Sequence, residues 1–287
     1  MTAATPLEPR ALGPLRYHVG GEGDPLLLLH GLAGSAANWI EVLPELVRRY
    51  RVLALDLPGH AGAPPLQRGA STGDFARAAA AVLEAEAGVA ALVAGHSFGG
   101  LIALRLARSR PELVRGLLLA SPAGIASATR AAQAAVLVSA TIRPGRMVSP
   151  WRHRLAGRAW YRRALFRPWF VADAVALGPR AVHGLLAAQG EHRDTRVAAR
   201  ALVADDPRQD LEGVTCPAIV LWGAGDRQLP LRDAFEYARR LRARLRLVAD
   251  CGHLVIVERP RAFVDALEEL AGSTSAEGAV RPGSPPG

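Results

Sequence analysis

Six short runs constrain this chain more than any other feature. Leu26–Leu29, Arg51–Leu55, Val89–Ala94, Val114–Ala120, Ala218–Trp222 and Arg244–Val248 are apolar for most of their length and end at glycine or polar turns. A strand with one wet face alternates apolar and polar residues, whereas a mostly apolar run of this length fits a strand buried on both faces, as in a parallel sheet. Segments with helical spacing lie between the runs. Trp39–Arg49 has apolar residues at 39, 40, 42, 43, 46 and 47, and Leu101–Ala107 and Leu231–Leu241 behave similarly. Strand alternating with helix predicts an α/β fold, a mostly parallel sheet flanked by helices.

The alternation breaks once. After Ser121-Pro122 no such run appears until about Pro217, and the intervening stretch is arginine-rich, helical or irregular in pattern, and holds Trp151, Trp160 and Trp169. The expected organisation is a core of residues 1–122 and 209–271 with an inserted helical cap of 123–208. Pro207, after Asp205-Asp206, marks the return to the sheet. The Gly-, Ser- and Pro-rich segment 272–287 is expected to be a disordered tail. A chain of 287 residues is long enough for a core with such a lobe.

Charge is distributed unevenly. The formal net charge is +9, and all 35 basic residues are arginine. No acid occurs between Glu112 and Asp173, a stretch that carries Arg115, Arg130, Arg143, Arg146, Arg152, Arg154, Arg158, Arg162, Arg163 and Arg167. Two readings follow for this basic segment. One is a solvated face that reflects composition. The other is peripheral contact of the cap with an anionic membrane, tryptophans at the interface. No recognisable nucleic-acid module accompanies the charge, so no nucleic-acid partner is expected. Cys216 and Cys251 are too few for a disulfide framework. No CxxC or His/Cys cluster suggests a metal site. The N-terminus lacks the basic start and apolar run of a signal peptide. The longest apolar candidate, Ala134–Ala140, is far short of the ~18 residues that span a bilayer. These features predict a cytoplasmic protein.

The chemistry is concentrated at the ends of the apolar runs. Val89–Ala94 leads into Gly95-His96-Ser97-Phe98-Gly99-Gly100 and then a helical segment. This is G-x-S-x-G in a strand–turn–helix context, where glycines let strand and helix approach and the serine hydroxyl is lifted above the sheet edge. The turn aims the Phe98 N–H, at the helix start, toward a developing oxyanion. His30-Gly31-Leu32-Ala33-Gly34-Ser35 follows the first run and can supply a second N–H, that of Leu32. A plain strand-end turn is an equal reading of that loop taken alone. Asp226, in Trp222-Gly223-Ala224-Gly225-Asp226, lies past a strand's carboxyl end, where open α/β sheets keep their sites. A helix-capping aspartate is the simpler alternative. His253, in Cys251-Gly252-His253, follows the last run. His96 reads as a packed histidine, and Cys251 as a buried small hydrophobe.

With its stretches HGLAGSAANW, DLPGHAGAP, GHSFGG, WGAGD and CGHLVIVERP, the chain resembles the α/β-hydrolase superfamily, specifically its lidded serine esterase/lipase-like branch. The resemblance covers residues 15 to 270. It implies Ser97 as nucleophile, His253 as general base, Asp226 as the acid that orients it, and the backbone N–H groups of Leu32 and Phe98 as oxyanion donors. The order Ser, Asp, His along the chain is the one this fold uses. Members with epoxide hydrolase or haloalkane dehalogenase chemistry carry aspartate at the nucleophile, so Ser97 sets this chain apart from them. The family commonly reads Asp-x-x-Gly-x-Gly-x-Ser where this chain has Asp56, Gly59, Ala61 and Ala63, a departure in a structural turn. It often has a polar residue where this chain has Leu32, which makes the pocket floor more apolar.

The expected reaction is hydrolysis of carboxylic esters of small to medium, lipid-like acyl chains through an acyl-enzyme, with no metal or organic cofactor. The expected partner is a small ester with an apolar acyl group, suggested by the cap's apolar residues. C–C bond hydrolysis, acyl transfer to an alcohol and perhydrolase or haloperoxidase chemistry use the same machinery and stay open, because the pocket decides among them. A non-catalytic ligand-binding protein is the alternative of another class. The intact glycine-flanked triad argues against it.

Overall fold

The computed structural model describes residues 7–126, 129–166 and 169–279. Among these residues, eight strands form one sheet: β1 (Glu8–Leu12), β2 (Leu15–Gly20), β3 (Asp24–Leu29), β4 (Tyr50–Asp56), β5 (Ala91–His96), β6 (Val114–Ala120), β7 (Ala218–Gly223) and β8 (Arg244–Val248). The spatial order is 1-2-4-3-5-6-7-8. From β4 to β8 every pairing is parallel, and β1 and β2 add an antiparallel edge.

The leucine run shows why the inner strands read as continuous apolar stretches. Leu26, Leu27, Leu28 and Leu29 are all fully buried. Leu26 and Leu28 enter the apolar cluster on one face of the sheet, and Leu27 and Leu29 the cluster on the other. Each such burial is worth about 2 kcal/mol relative to exposure. The first face is covered by α1 (Leu43–Leu46), α11 (Val255–Glu258) and α12 (Pro260–Ala279), the second by α2 (Thr72–Glu86), α3 (Phe98–Ser109) and α10 (Leu231–Leu241).

Three expectations about local structure need correction. Trp39–Arg49 is not one helix: a 3-10 turn at Ala36–Trp39 and the four-residue α1 replace it. Pro44 is one reason, since it has no N–H to donate back into the preceding turn. The strand expected at Val89–Ala94 runs two residues later, because Gly88 adopts φ +69 in the turn before it and Val89 stays exposed. The tail expected to be disordered from 272 begins as helix, since α12 continues to Ala279. Residues 280–287 lie outside the described residues.

Between β6 and β7 the described residues contain only helices and irregular chain: α4 (Arg130–Ile142), α5 (Pro144–Val148), α6 (Arg152–Leu155), α7 (Ala159–Phe166), α8 (Pro179–Leu186) and α9 (Arg196–Ala204), with short 3-10 turns. Helix α9 packs into the same apolar cluster as α2 and α3. Its return is tied down electrostatically: Arg105 on α3 pairs with Asp205 and, at 2.5 Å, with Asp210. The turn 56–65 is hydrogen-bonded to the segment between β6 and β7. The Gly59 carbonyl accepts from the N–H groups of Arg193 (2.9 Å) and Asp194 (3.1 Å), and Gly62 N–H donates to Glu191. Gly59 sits at φ +87, and a Cβ there would run into the Asp194 carbonyl.

Candidate active site

Ser97 closes β5 and opens α3 with φ 52 and ψ −117, a conformation that L-residues other than glycine seldom adopt. The surrounding peptides hold it there. Ser97 N–H donates to the Ala120 carbonyl, and the Ser97 carbonyl accepts from Gly100, Leu101 and Ala123. The flanking glycines are steric requirements: a Cβ on Gly95 would strike the Gly99 carbonyl, and one on Gly99 the Leu29 carbonyl. A Cβ on Gly31 would lie 3.3 Å from the Ser97 Cβ, so the loop after β3 passes directly over the serine.

That loop is a tight turn, closed by Gly34 N–H to the Gly31 carbonyl at 2.9 Å, with Ala33 at φ 57. Its strain is offset by two donors from the insertion, Gln189 Nε2 (2.7 Å) and His192 Nε2 (3.0 Å), both on the Ala33 carbonyl. Among the described residues neither the Leu32 N–H nor the Phe98 N–H donates to a protein acceptor.

Asp226 and His253 are brought together by the loops after β7 and β8. Ala224 and Gly225 N–H groups donate to the Val248 and Cys251 carbonyls, stapling the two loops. A Cβ on Gly223 would meet the Gly252 carbonyl, which is why glycine ends β7. His253 Nδ1 lies 2.8 Å from Asp226 Oδ2, with both side chains almost wholly buried. Asp226 Oδ1 accepts from the N–H groups of Gln228 (2.8 Å) and Leu229 (2.9 Å). Burial works against the Asp226 charge, but the His253 hydrogen bond, the nearby imidazole and the two N–H groups outweigh it and hold the carboxyl below its ordinary range.

Two further residues position the histidine loop, and no sequence motif marks either role. Glu258 accepts from Gly252, Leu254 and Ala172 N–H groups at 2.8–3.2 Å, bracketing His253 on both sides. It stood in the CGHLVIVERP stretch without an assigned task. His96 Nε2 donates to the His253 carbonyl at 2.9 Å, and the two rings lie 4.9 Å apart. Burial, with the neighbouring His253, pushes His96 down to about 3, so it stays neutral.

Ser97 and His253 line one cavity of about 460 Å³, which the insertion roofs with Val136, Ala140, Val148, Leu165, Phe166 and Leu186. Leu32 is part of its floor. Among the described residues, Ser97 Oγ makes no hydrogen bond to another protein group, nor does His253 Nε2. On the outside of the insertion Val138, Ile142, Met147, Trp151, Trp160 and Trp169 are exposed. None of its described arginines from Arg130 to Arg163 forms an ion pair, whereas Arg115, on β6, pairs with Asp24. Arg167 lies outside the described residues.

Residues 26–266 match the alpha/beta hydrolase family. The chain belongs to that family. The chain is 31% identical over 264 residues to a pimeloyl-[acyl-carrier protein] methyl ester esterase of Aromatoleum aromaticum, covering 85% of this chain and 97% of that protein. It is also 30% identical over 253 residues to the dihydrolipoyllysine-residue acetyltransferase component of the acetoin cleaving system of Pseudomonas putida, covering 84% of this chain but spanning only 62% of that relative. The crystal structure of an E-2-(acetamidomethylene)succinate hydrolase superposes with a TM-score of 0.75 at 19% identity, over 93% of this chain and 99% of that one. At that identity the likeness speaks for the fold alone. Among the described residues no helix is long and apolar enough to cross a membrane.

Proposed function

We propose that this hydrolase cleaves carboxylic esters through an acyl-enzyme on Ser97. The observation that carries the reading is the His253–Asp226 pair. With Nδ1–H donated to Asp226 Oδ2 at 2.8 Å, Nε2 is the nitrogen left to take a proton, and His253 lines the same cavity as Ser97. His253 removes the Ser97 proton as Oγ attacks the carbonyl carbon, and Asp226 stabilises the imidazolium. The unpartnered N–H groups of Leu32 and Phe98 receive the oxyanion, each worth roughly 3 kcal/mol in such sites. His253 then protonates the leaving alcohol, and water resolves the acyl-enzyme. The full-length relative that acts on a methyl ester supports an ester as substrate. The apolar roof favours small to medium acyl chains.

Hydrolysis of p-nitrophenyl esters from acetate to palmitate, with Ser97→Ala in parallel, tests this. Ser97-dependent release of p-nitrophenol is expected, with an optimum set by the cavity. A folded protein inactive on every ester would move the reading to C–C hydrolysis or acyl transfer.

A second proposal concerns the outer face of the insertion. Exposed tryptophans and aliphatic residues beside unpaired arginines, with no acid from 113 to 172, suit contact with an anionic lipid surface.

A further inference from the structure

The cavity contains a polar corner that acyl transfer does not use. Arg143 stands between α4 and α5 in the left-handed region, φ 53 and ψ 57, and lines the cavity. One guanidinium nitrogen, Nη2, donates to the His192 carbonyl at 2.6 Å. Its Nε is buried and has no partner. Three residues beyond His192, Thr195 is 1% exposed, lines the same cavity, and its Oγ1 is likewise buried without a partner. Gln189, also in the lining, spends its amide nitrogen on the Ala33 and Leu185 carbonyls.

Each unsatisfied group is costly. A buried donor left without an acceptor forfeits about 1–3 kcal/mol, more for a charged group. Among the described residues Arg143 also lacks a counter-charge: it forms no ion pair, and no aspartate or glutamate lines the cavity. It is the single lining side chain among the described residues with a permanent positive charge. A guanidinium Nε and a hydroxyl from two residues lining one cavity present donors of the kind that suit a carboxylate.

We propose that Arg143 and Thr195 form a subsite that binds a carboxylate of the substrate, so that the preferred substrates are esters carrying one free acid group on the acyl or the alcohol side. This rests on the ester-hydrolase reading for the reaction, but the subsite is a matter of binding and stands or falls separately. Specificity then comes from giving an acceptor to a buried Nε–H and a buried hydroxyl that otherwise have none. A substrate with a neutral group there leaves Arg143 and Thr195 unpaired, and such a mismatch discriminates more strongly than a missing methylene does.

The test uses the Ser97→Ala protein, which holds esters intact. Calorimetric affinities are compared for monomethyl and dimethyl esters of four- to eight-carbon dicarboxylic acids, and for acetoxyalkanoates and their methyl esters. The first series places the acid on the acyl side, the second on the alcohol side. At least one acid is expected to bind 10-fold or more tightly than its neutral partner, and the series in which it appears identifies the side. Adding Arg143→Gln should bring that ratio to about one. Thr195→Val, which keeps the shape and removes the hydroxyl, should reduce it about threefold. Ratios within twofold in both series, in the Ser97→Ala protein alone, would overturn the subsite whether or not Arg143→Gln folds. Ser97-dependent turnover of neutral p-nitrophenyl esters alongside such flat ratios would leave the hydrolase reading standing while the subsite falls. A clear preference in a wild-type protein inactive on every ester would do the reverse.

Discussion

Replacing Asp226 with asparagine isolates the tautomer of His253. In the folded protein the two carboxylate oxygens have separate duties: Oδ1 accepts from Gln228 and Leu229 N–H, and Oδ2 from His253 Nδ1. An asparagine has one acceptor oxygen and one NH2 group. Two fixed N–H groups claim the oxygen, which turns the NH2 toward His253 Nδ1. That nitrogen then accepts, the ring proton moves to Nε2, and Nε2 has no lone pair for the Ser97 proton. A wrong tautomer of this kind costs on the order of 10⁴-fold in kcat, about 5.5 kcal/mol at 1.4 kcal/mol per decade. The assay is kcat and KM for the best p-nitrophenyl ester near neutral pH, with thermal unfolding to show that the variant folds. KM should change little, because Asp226 does not line the cavity. A folded Asp226→Asn protein that keeps more than a tenth of wild-type kcat would refute the assignment of Asp226 and the tautomer argument together.

Glu258→Gln should destabilise the protein by about 1–3 kcal/mol in urea unfolding, because an amide NH2 then faces backbone N–H groups that need an acceptor. It should also lower kcat through the displaced His253 loop, and an unchanged unfolding midpoint would argue against this role. Burial with neighbouring His30 pushes His192 down to about 4, and His96 lies near 3, so the unfolded chain takes up protons below about 6.5 that the folded protein refuses. Stability should therefore fall with falling pH by up to about 1.4 kcal/mol per unit for each such histidine. His192→Gln should flatten the slope between pH 6.5 and 4.5 in urea titrations, and an unaltered slope would exclude His192 as a contributor. For the outer face of the insertion, sedimentation with phosphatidylglycerol vesicles at low salt should recover the protein, and 0.5 M salt or Trp151→Ala/Trp160→Ala should release it. Equal recovery on neutral vesicles would remove the charge argument.

The core was legible because its strands advertise themselves. β6 has the bounds expected, and β3, β4 and β7 differ by one or two residues, since a strand buried on both faces leaves an unbroken apolar run. β8 also has the bounds expected, but the expectation that it is buried on both faces needs correction: it is an edge strand of the sheet and none of its residues is buried. The hairpin of β1 and β2 escaped. All five β1 residues are exposed, and β2 is buried only at Tyr17 and Val19, so neither has a run to notice. Helix α2 also passed unremarked, although Ser71 and Asp74 form a capping box at its start. The candidate site was legible in part. Ser97, Asp226 and His253 each sit in a local motif, and the structure brings Asp226 onto His253 and places both Ser97 and His253 in one cavity. The groups that the insertion contributes were not legible, because Arg143, Gln189, His192 and Thr195 reach the cavity through tertiary packing, and no spacing along the chain announces that.

The two donors on the Ala33 carbonyl have a consequence for engineering. Gln189 and His192 belong to the insertion, yet the peptide they grip belongs to the turn that carries the Leu32 N–H. Roof and floor are thus one mechanical unit on this side of the cavity. Grafting a roof from another hydrolase onto this sheet would exchange the selectivity filter and also cut the guy-lines of the turn beneath it. A chimera would need two donors at those positions before its turnover could be compared with that of either parent.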